Sequence, residues 1–123
     1  MNKPLVAVYG SLKRGFGNYG VMEMAGGKYL CTTRTKENKF VMDGWAYPYV
    51  VYSNAPQKGK VEVEIFEVEN IKPLDRLEGH PSFYKRELVE FENGMRAWMY
   101  IYQGNIDPNE NLKNGDTYIW QES

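Results

Sequence analysis

Apolar and polar positions alternate along much of this chain, and the alternation predicts strands more often than helices. The clearest case spans residues 60–68. There Val61, Val63 and Ile65 share one face, and Glu62, Glu64 and Phe66 the other. Residues 5–9 form a continuous apolar run, LVAVY, ending at Gly10, which reads as a buried strand feeding a loop. Residues 28–33, 40–42, 83–91 and 95–102 read as further strands, with turn signals at Asp43-Gly44 and Glu92-Asn93-Gly94. Residues 45–52 are rich in β-formers, but Pro48 bars a regular central strand.

Two short helices interrupt the strands. Asn18 is placed to cap one over residues 19–25, and Gly26-Gly27 ends it. Residues 71–78 read as the second, with Pro73 in its first turn and Leu74 and Leu77 on a shared face. Gly79 and Pro81 mark its stop. No repeat, linker or low-complexity tract divides residues 1–123, so one domain is expected. The class is α+β, built on a mostly antiparallel sheet, with closure into a barrel as one option.

Composition narrows the function classes. A net charge of −1 argues against nucleic acid as the main partner, because phosphate binding needs a basic face. Aromatic residues reach 15%, and strand packing accounts for most of them, although aromatics also line ligand pockets. The single cysteine, Cys31, forms no internal disulfide and reads as a buried structural thiol in a reducing compartment. No leader peptide and no apolar stretch of bilayer length is apparent, so a cytoplasmic protein with no membrane partner is expected.

Metal or triad chemistry finds few residues to work with. His80 is the only histidine, no cysteine pair exists, and Ser11 lacks a G-x-S-x-G elbow. No metal or cofactor site is therefore expected. Two features remain. After the first strand, Tyr9-Gly10-Ser11-Leu12 turns tightly, and successive backbone N–H groups in such a turn form a nest for an anion such as a carboxylate. Lys13 and Arg14 would add positive charge. The second feature is Glu78, in the last turn of the second helix. There the negative end of the helix dipole raises a carboxyl pKa, the direction useful to a general acid/base. Each feature also has an ordinary reading, as a common Gly-Ser turn and as an exposed surface carboxylate.

The two features together resemble the γ-glutamyl cyclotransferase-like, or AIG2-like, family. VAVYGSLKRGFGNY is similar to its substrate-loop motif, and LDRLEGHPSFYKREL to its acidic motif, in which the catalytic Glu precedes a small turn and a Tyr-x-Arg follows. These map onto Glu78, Tyr84 and Arg86. The resemblance runs from about Pro4 to Ile119. Where the family often has Gly-Glu, this chain has Val63-Glu64.

The resemblance implies a small β-barrel with short flanking helices. It implies an enzyme that converts a γ-glutamyl amine or γ-glutamyl amino acid to 5-oxoproline and a free amine without a cofactor. Substrate binding falls to Tyr9, Gly10, Ser11, Leu12 and Tyr84, and proton transfer to Glu78. Backbone amides of the loop and the Tyr84 hydroxyl are both candidates to face the developing oxyanion. Tyr49 is a further candidate for the cavity wall, and Glu64 supports the site at most indirectly. A binding module that uses the same cavity without turnover is the alternative.

Overall fold

A computed structural model describes residues 3–121 of the chain. Nine strands and two short α-helices follow in the order β1 (Leu5–Val8), α1 (Tyr19–Met24), β2 (Lys28–Arg34), β3 (Phe40–Asp43), β4 (Tyr49–Tyr52), β5 (Lys60–Glu67), α2 (Lys72–Glu78), β6 (Tyr84–Glu90), β7 (Arg96–Tyr102), β8 (Lys113–Asn114) and β9 (Thr117–Tyr118). The main sheet runs β6-β7-β1-β5-β9-β8, with β2 on β5, while β3 and β4 form a separate hairpin. Most pairings are antiparallel; β1–β7 and β5–β9 are parallel.

The apolar run of β1 is continuous because both faces of the sheet are covered. Ala7 and Tyr9 join Val61, Val63, Ile65, Met99 and Ile101 in a core capped by Phe40, Met42 and Trp120. Val6 and Val8 point the other way and join Phe66, Met22 and Leu74 beneath the two helices. Phe66 shares its face of the alternation with Glu62 and Glu64. It is buried in this second core, whereas both glutamates are only half-buried.

The sheet is not closed into a barrel. Where β2 ends and β6 ends, a single bridge pairs Thr35 with Phe91, flanked by hydrogen bonds from Lys36 N to Glu90 O (3.1 Å) and Glu92 N to Arg34 O (3.0 Å). Closure would need a ladder along the whole edge.

Element boundaries follow the expected pattern within a residue or two, apart from residues 45–52, where only Tyr49–Tyr52 is strand. The 92–94 turn forms as expected: Gly94 has φ 87° and its N–H reaches Phe91 O at 3.0 Å. Asn18 does not cap α1 with its side chain, which turns instead to the Ser11 hydroxyl at 2.8 Å. Cys31 is half-buried rather than buried, with its sulfur 3.6 Å from Met95 Sδ. No helix of the described residues is long and apolar enough to cross a membrane.

Candidate active site

The C-terminal end of β1 delivers the chain into a tight loop. Lys13 N donates to Gly10 O at 3.0 Å, and Asn18 N to Ser11 O at 2.9 Å. The amides of Gly10, Ser11 and Leu12 donate to no acceptor among the described residues. Gly10 is needed for space: a Cβ there would meet the Pro48 ring at 2.5 and 2.9 Å. Pro48, read from the sequence only as a strand breaker, is thus a wall of the site.

A cavity of about 450 Å³ opens beside this loop. Its lining brings together Tyr9, Gly10, Ser11, Leu12, Tyr49, Glu78 and Tyr84 from the expected set, and adds Pro48, Tyr100 and Asn18. The volume falls within the ordinary range for small-molecule sites. Among the described residues no group of His, Cys, Asp or Glu is arranged to hold a metal ion.

Glu78 closes α2. Gly79 follows in the left-handed conformation (φ 64°, ψ 38°), and His80 N bonds back to Asp75 O at 2.9 Å, so the helix stops there. The Glu78 side chain has no hydrogen bond or ion pair among the described residues. Burial alone raises its pKa from 4.5 to about 7. The sequence points to the helix dipole as the cause; the structure gives desolvation in an apolar and phenolic pocket instead.

Asp75, one turn earlier, ties α2 to the sheet. Its Oδ1 accepts from the Tyr100 hydroxyl (2.7 Å) and from Arg86 Nε (3.0 Å). The Arg86 backbone N–H donates to His80 Nδ1 at 3.2 Å, and its guanidinium lies 4.8 Å from the Trp98 ring. Arg86 of the acidic motif therefore braces the helix instead of lining the cavity. The one histidine is a hydrogen-bond acceptor in the same brace. A carboxylate three residues before Glu78 on one helix face, and aromatics alternating at 98, 100 and 102, were the available sequence signals for this network.

Three phenols surround the carboxyl. Tyr9 donates to Tyr100 O at 2.6 Å, and Tyr84 to Pro48 O at 2.7 Å. Burial raises the pKa of Tyr9, Tyr84 and Tyr100, and the Glu78 charge raises each further. All three stay protonated at neutral pH. Tyr84 directs its only proton to Pro48 O and has none left to donate elsewhere.

The loop cations do not serve the cavity. Lys13 is buried, its Nζ donates to Trp120 O at 3.0 Å, and it sits 4.6 Å from the Phe16 ring. Arg14 lies over Tyr29 at 3.4 Å and pairs with Glu64 at 3.4 Å, while its backbone N–H reaches Glu64 Oε1 at 2.9 Å. Glu64 accordingly pins the far end of the loop that follows β1.

The model of the family described as Gamma-glutamyl cyclotransferase, AIG2-like matches residues 6–122. The chain belongs to this family. A Methanocaldococcus jannaschii protein provisionally named a gamma-glutamylcyclotransferase is 36% identical over 103 residues, which cover 79% of this chain and 82% of the relative. The gamma-glutamylcyclotransferase family protein YtfP of Escherichia coli K12 is 31% identical over 113 residues, covering 90% and 93%. Among solved structures, an AIG2-like protein of Mus musculus superposes with a TM-score of 0.70 at 26% identity, covering 100% of this chain and 99% of that one. The γ-glutamyl cyclotransferase match thus spans both the loop and Glu78.

Proposed function

We propose that the chain is a cytoplasmic γ-glutamyl cyclotransferase that needs no cofactor and releases 5-oxoproline and a free amine from a γ-glutamyl amide. One observation carries the reading. An unpaired Glu78 carboxyl with a pKa of about 7 lines the same cavity as three unused backbone amides.

The substrate supplies its own nucleophile. The loop amides of Gly10, Ser11 and Leu12 take the α-carboxylate or the developing oxyanion, and the walls hold the γ-glutamyl chain bent. Such intramolecular positioning contributes up to about 7–11 kcal/mol to lowering the barrier. Glu78, ionised, removes a proton from the α-ammonium, and the freed amine attacks the γ-carbonyl. A C–N bond forms, and the tetrahedral carbon bears the oxyanion. Glu78 then protonates the departing nitrogen, the old C–N bond breaks, and the carbonyl re-forms. The ring nitrogen loses its second proton through the same carboxylate to the departing amine. Two protons leave the α-ammonium and two reach the amine, so Glu78 ends ionised as it began. A pKa near the working pH suits a group that must be base and acid in one cycle, a contribution of roughly 10²–10⁴-fold.

The test is 5-oxoproline release from a γ-glutamyl amide by wild type and by Glu78→Gln. The variant is expected to keep its fold and lose turnover by at least about a hundredfold. Equal activity in the two proteins refutes the role of Glu78.

A further inference from the structure

Three large hydrophobic side chains line the cavity yet remain open to solvent: Tyr47 is 56% exposed, Leu77 42% and Phe83 50%. They come from the β3–β4 connection, the last turn of α2, and the residue before β6. They form the mouth, and they have no role in the ring closure described above. Phe83 packs against three rings: Tyr84 at 5.2 Å, Tyr102 at 5.3 Å and Tyr49 at 6.3 Å. Trp45, 89% exposed, lies two residues before Tyr47 in the same connection.

Charge at the mouth is as telling as the apolar surface. Glu78 is the one charged residue of the lining. Among the described residues near the site, Lys13 is committed to the Trp120 carbonyl, Arg14 to Glu64 and Arg86 to Asp75, and the exposed Arg76 of α2 stands outside the lining. A γ-glutamyl amide enters with its α-carboxylate toward the loop amides and its α-ammonium toward Glu78. Its amide substituent then lies outward, at the mouth. A second carboxylate there would find no cation among the lining residues and would face the Glu78 charge. A second ammonium would find no acid beyond the one already engaged by the α-ammonium. Either charge would lose part of its water against these apolar side chains without gaining a partner from the lining, which is unfavourable.

Resting on the cyclotransferase reading, we propose that Tyr47, Leu77 and Phe83 form a subsite for an uncharged, apolar substituent on the leaving amine. The preferred substrates are then γ-glutamyl derivatives of alkyl or aryl amines, rather than of amino acids or diamines.

The test uses γ-glutamyl amides of n-butylamine, diaminobutane and aminobutanoate, which share one chain length and differ in terminal charge. Calorimetric binding to Glu78→Gln reads the apolar walls of the subsite without turnover and without the Glu78 charge, and kcat/KM of wild type reads walls and charge together. The butylamide is expected to be preferred by at least about tenfold over each charged analogue, the scale of discrimination set by one small group in an apolar pocket. Tyr47→Lys, at an exposed position, is expected to shift that preference toward the aminobutanoate amide. Phe83→Ala is expected to reduce the butylamide advantage. Equal or tighter binding of either charged analogue overturns the proposal, as does an unchanged order in Tyr47→Lys. If no amide yields 5-oxoproline, the catalytic reading fails, while the order of binding still decides the subsite.

Discussion

The Glu78 carboxyl should make the folded protein less stable above neutral pH, and removing its charge should restore that stability. In the unfolded chain the group titrates near 4.5; in the folded protein burial raises it to about 7. Between those values the native state holds a proton that the unfolded state has released, so stability falls as pH rises, and it levels off above about 7. Below 4.5 both states are protonated and the effect vanishes. The gap, at about 1.4 kcal/mol per pH unit, amounts to about 3 kcal/mol. Glu78→Gln keeps the shape of the side chain without the ionisation. In urea unfolding the variant should match wild type near pH 4 and exceed it by about 2–3 kcal/mol at pH 8. With an unfolding entropy of about 2.1 cal/mol/K per residue, that gain is roughly 8–12 °C in Tm for a chain of 123 residues. A variant with the same stability as wild type at pH 8, or with an offset that does not change with pH, would refute the claim that Glu78 is desolvated and unpaired. The cost is one that an idle surface glutamate would not carry, which is the usual mark of a group retained for chemistry.

Other outcomes follow from the brace and the loop. Asp75→Ala removes the acceptor shared by Tyr100 and Arg86; it should lower stability by about 1–3 kcal/mol and reduce kcat more than it raises KM, measured by urea unfolding and steady-state kinetics. Gly10→Ala drives a Cβ into the Pro48 ring and should cost about 1–3 kcal/mol while raising KM, since the loop must shift away from the cavity. Tyr84→Phe loses only the bond to Pro48 O; about 1 kcal/mol of stability and less than about tenfold in kcat should be lost. A thousandfold loss in kcat would return Tyr84 to the oxyanion.

The strands were legible because alternation and turn residues act locally. The β5 pattern, the Glu92-Asn93-Gly94 turn and the Gly79 stop of α2 are each decided by a few neighbouring residues. What long-range packing decides was harder to read. Phe66 sits on the polar face of β5 by alternation, yet two helices cover that face and bury it. The single Thr35–Phe91 bridge between β2 and β6 depends on where two distant segments end. At the site, local patterns together with the family resemblance singled out Glu78 and the Tyr9 loop. The destinations of the loop cations were not legible, because Trp120 and Glu64 lie far along the chain from Lys13 and Arg14. For the same reason the bond from the Tyr84 hydroxyl to Pro48 O, 36 residues away along the chain, has no local signal. The helix position of Glu78 signals the direction of its raised pKa; the enclosure that causes it is built by residues distant along the chain.

The central claim is that one half-buried carboxyl carries protons between the two nitrogens of the substrate. Its most direct test is the pH dependence of kcat/KM for 5-oxoproline release from a γ-glutamyl butylamide. Because Glu78 must be ionised in the free enzyme to begin the cycle, kcat/KM should rise with pH through an apparent pKa near 7. A profile whose acid limb lies near 4.5, or that stays flat through neutral pH, would contradict it.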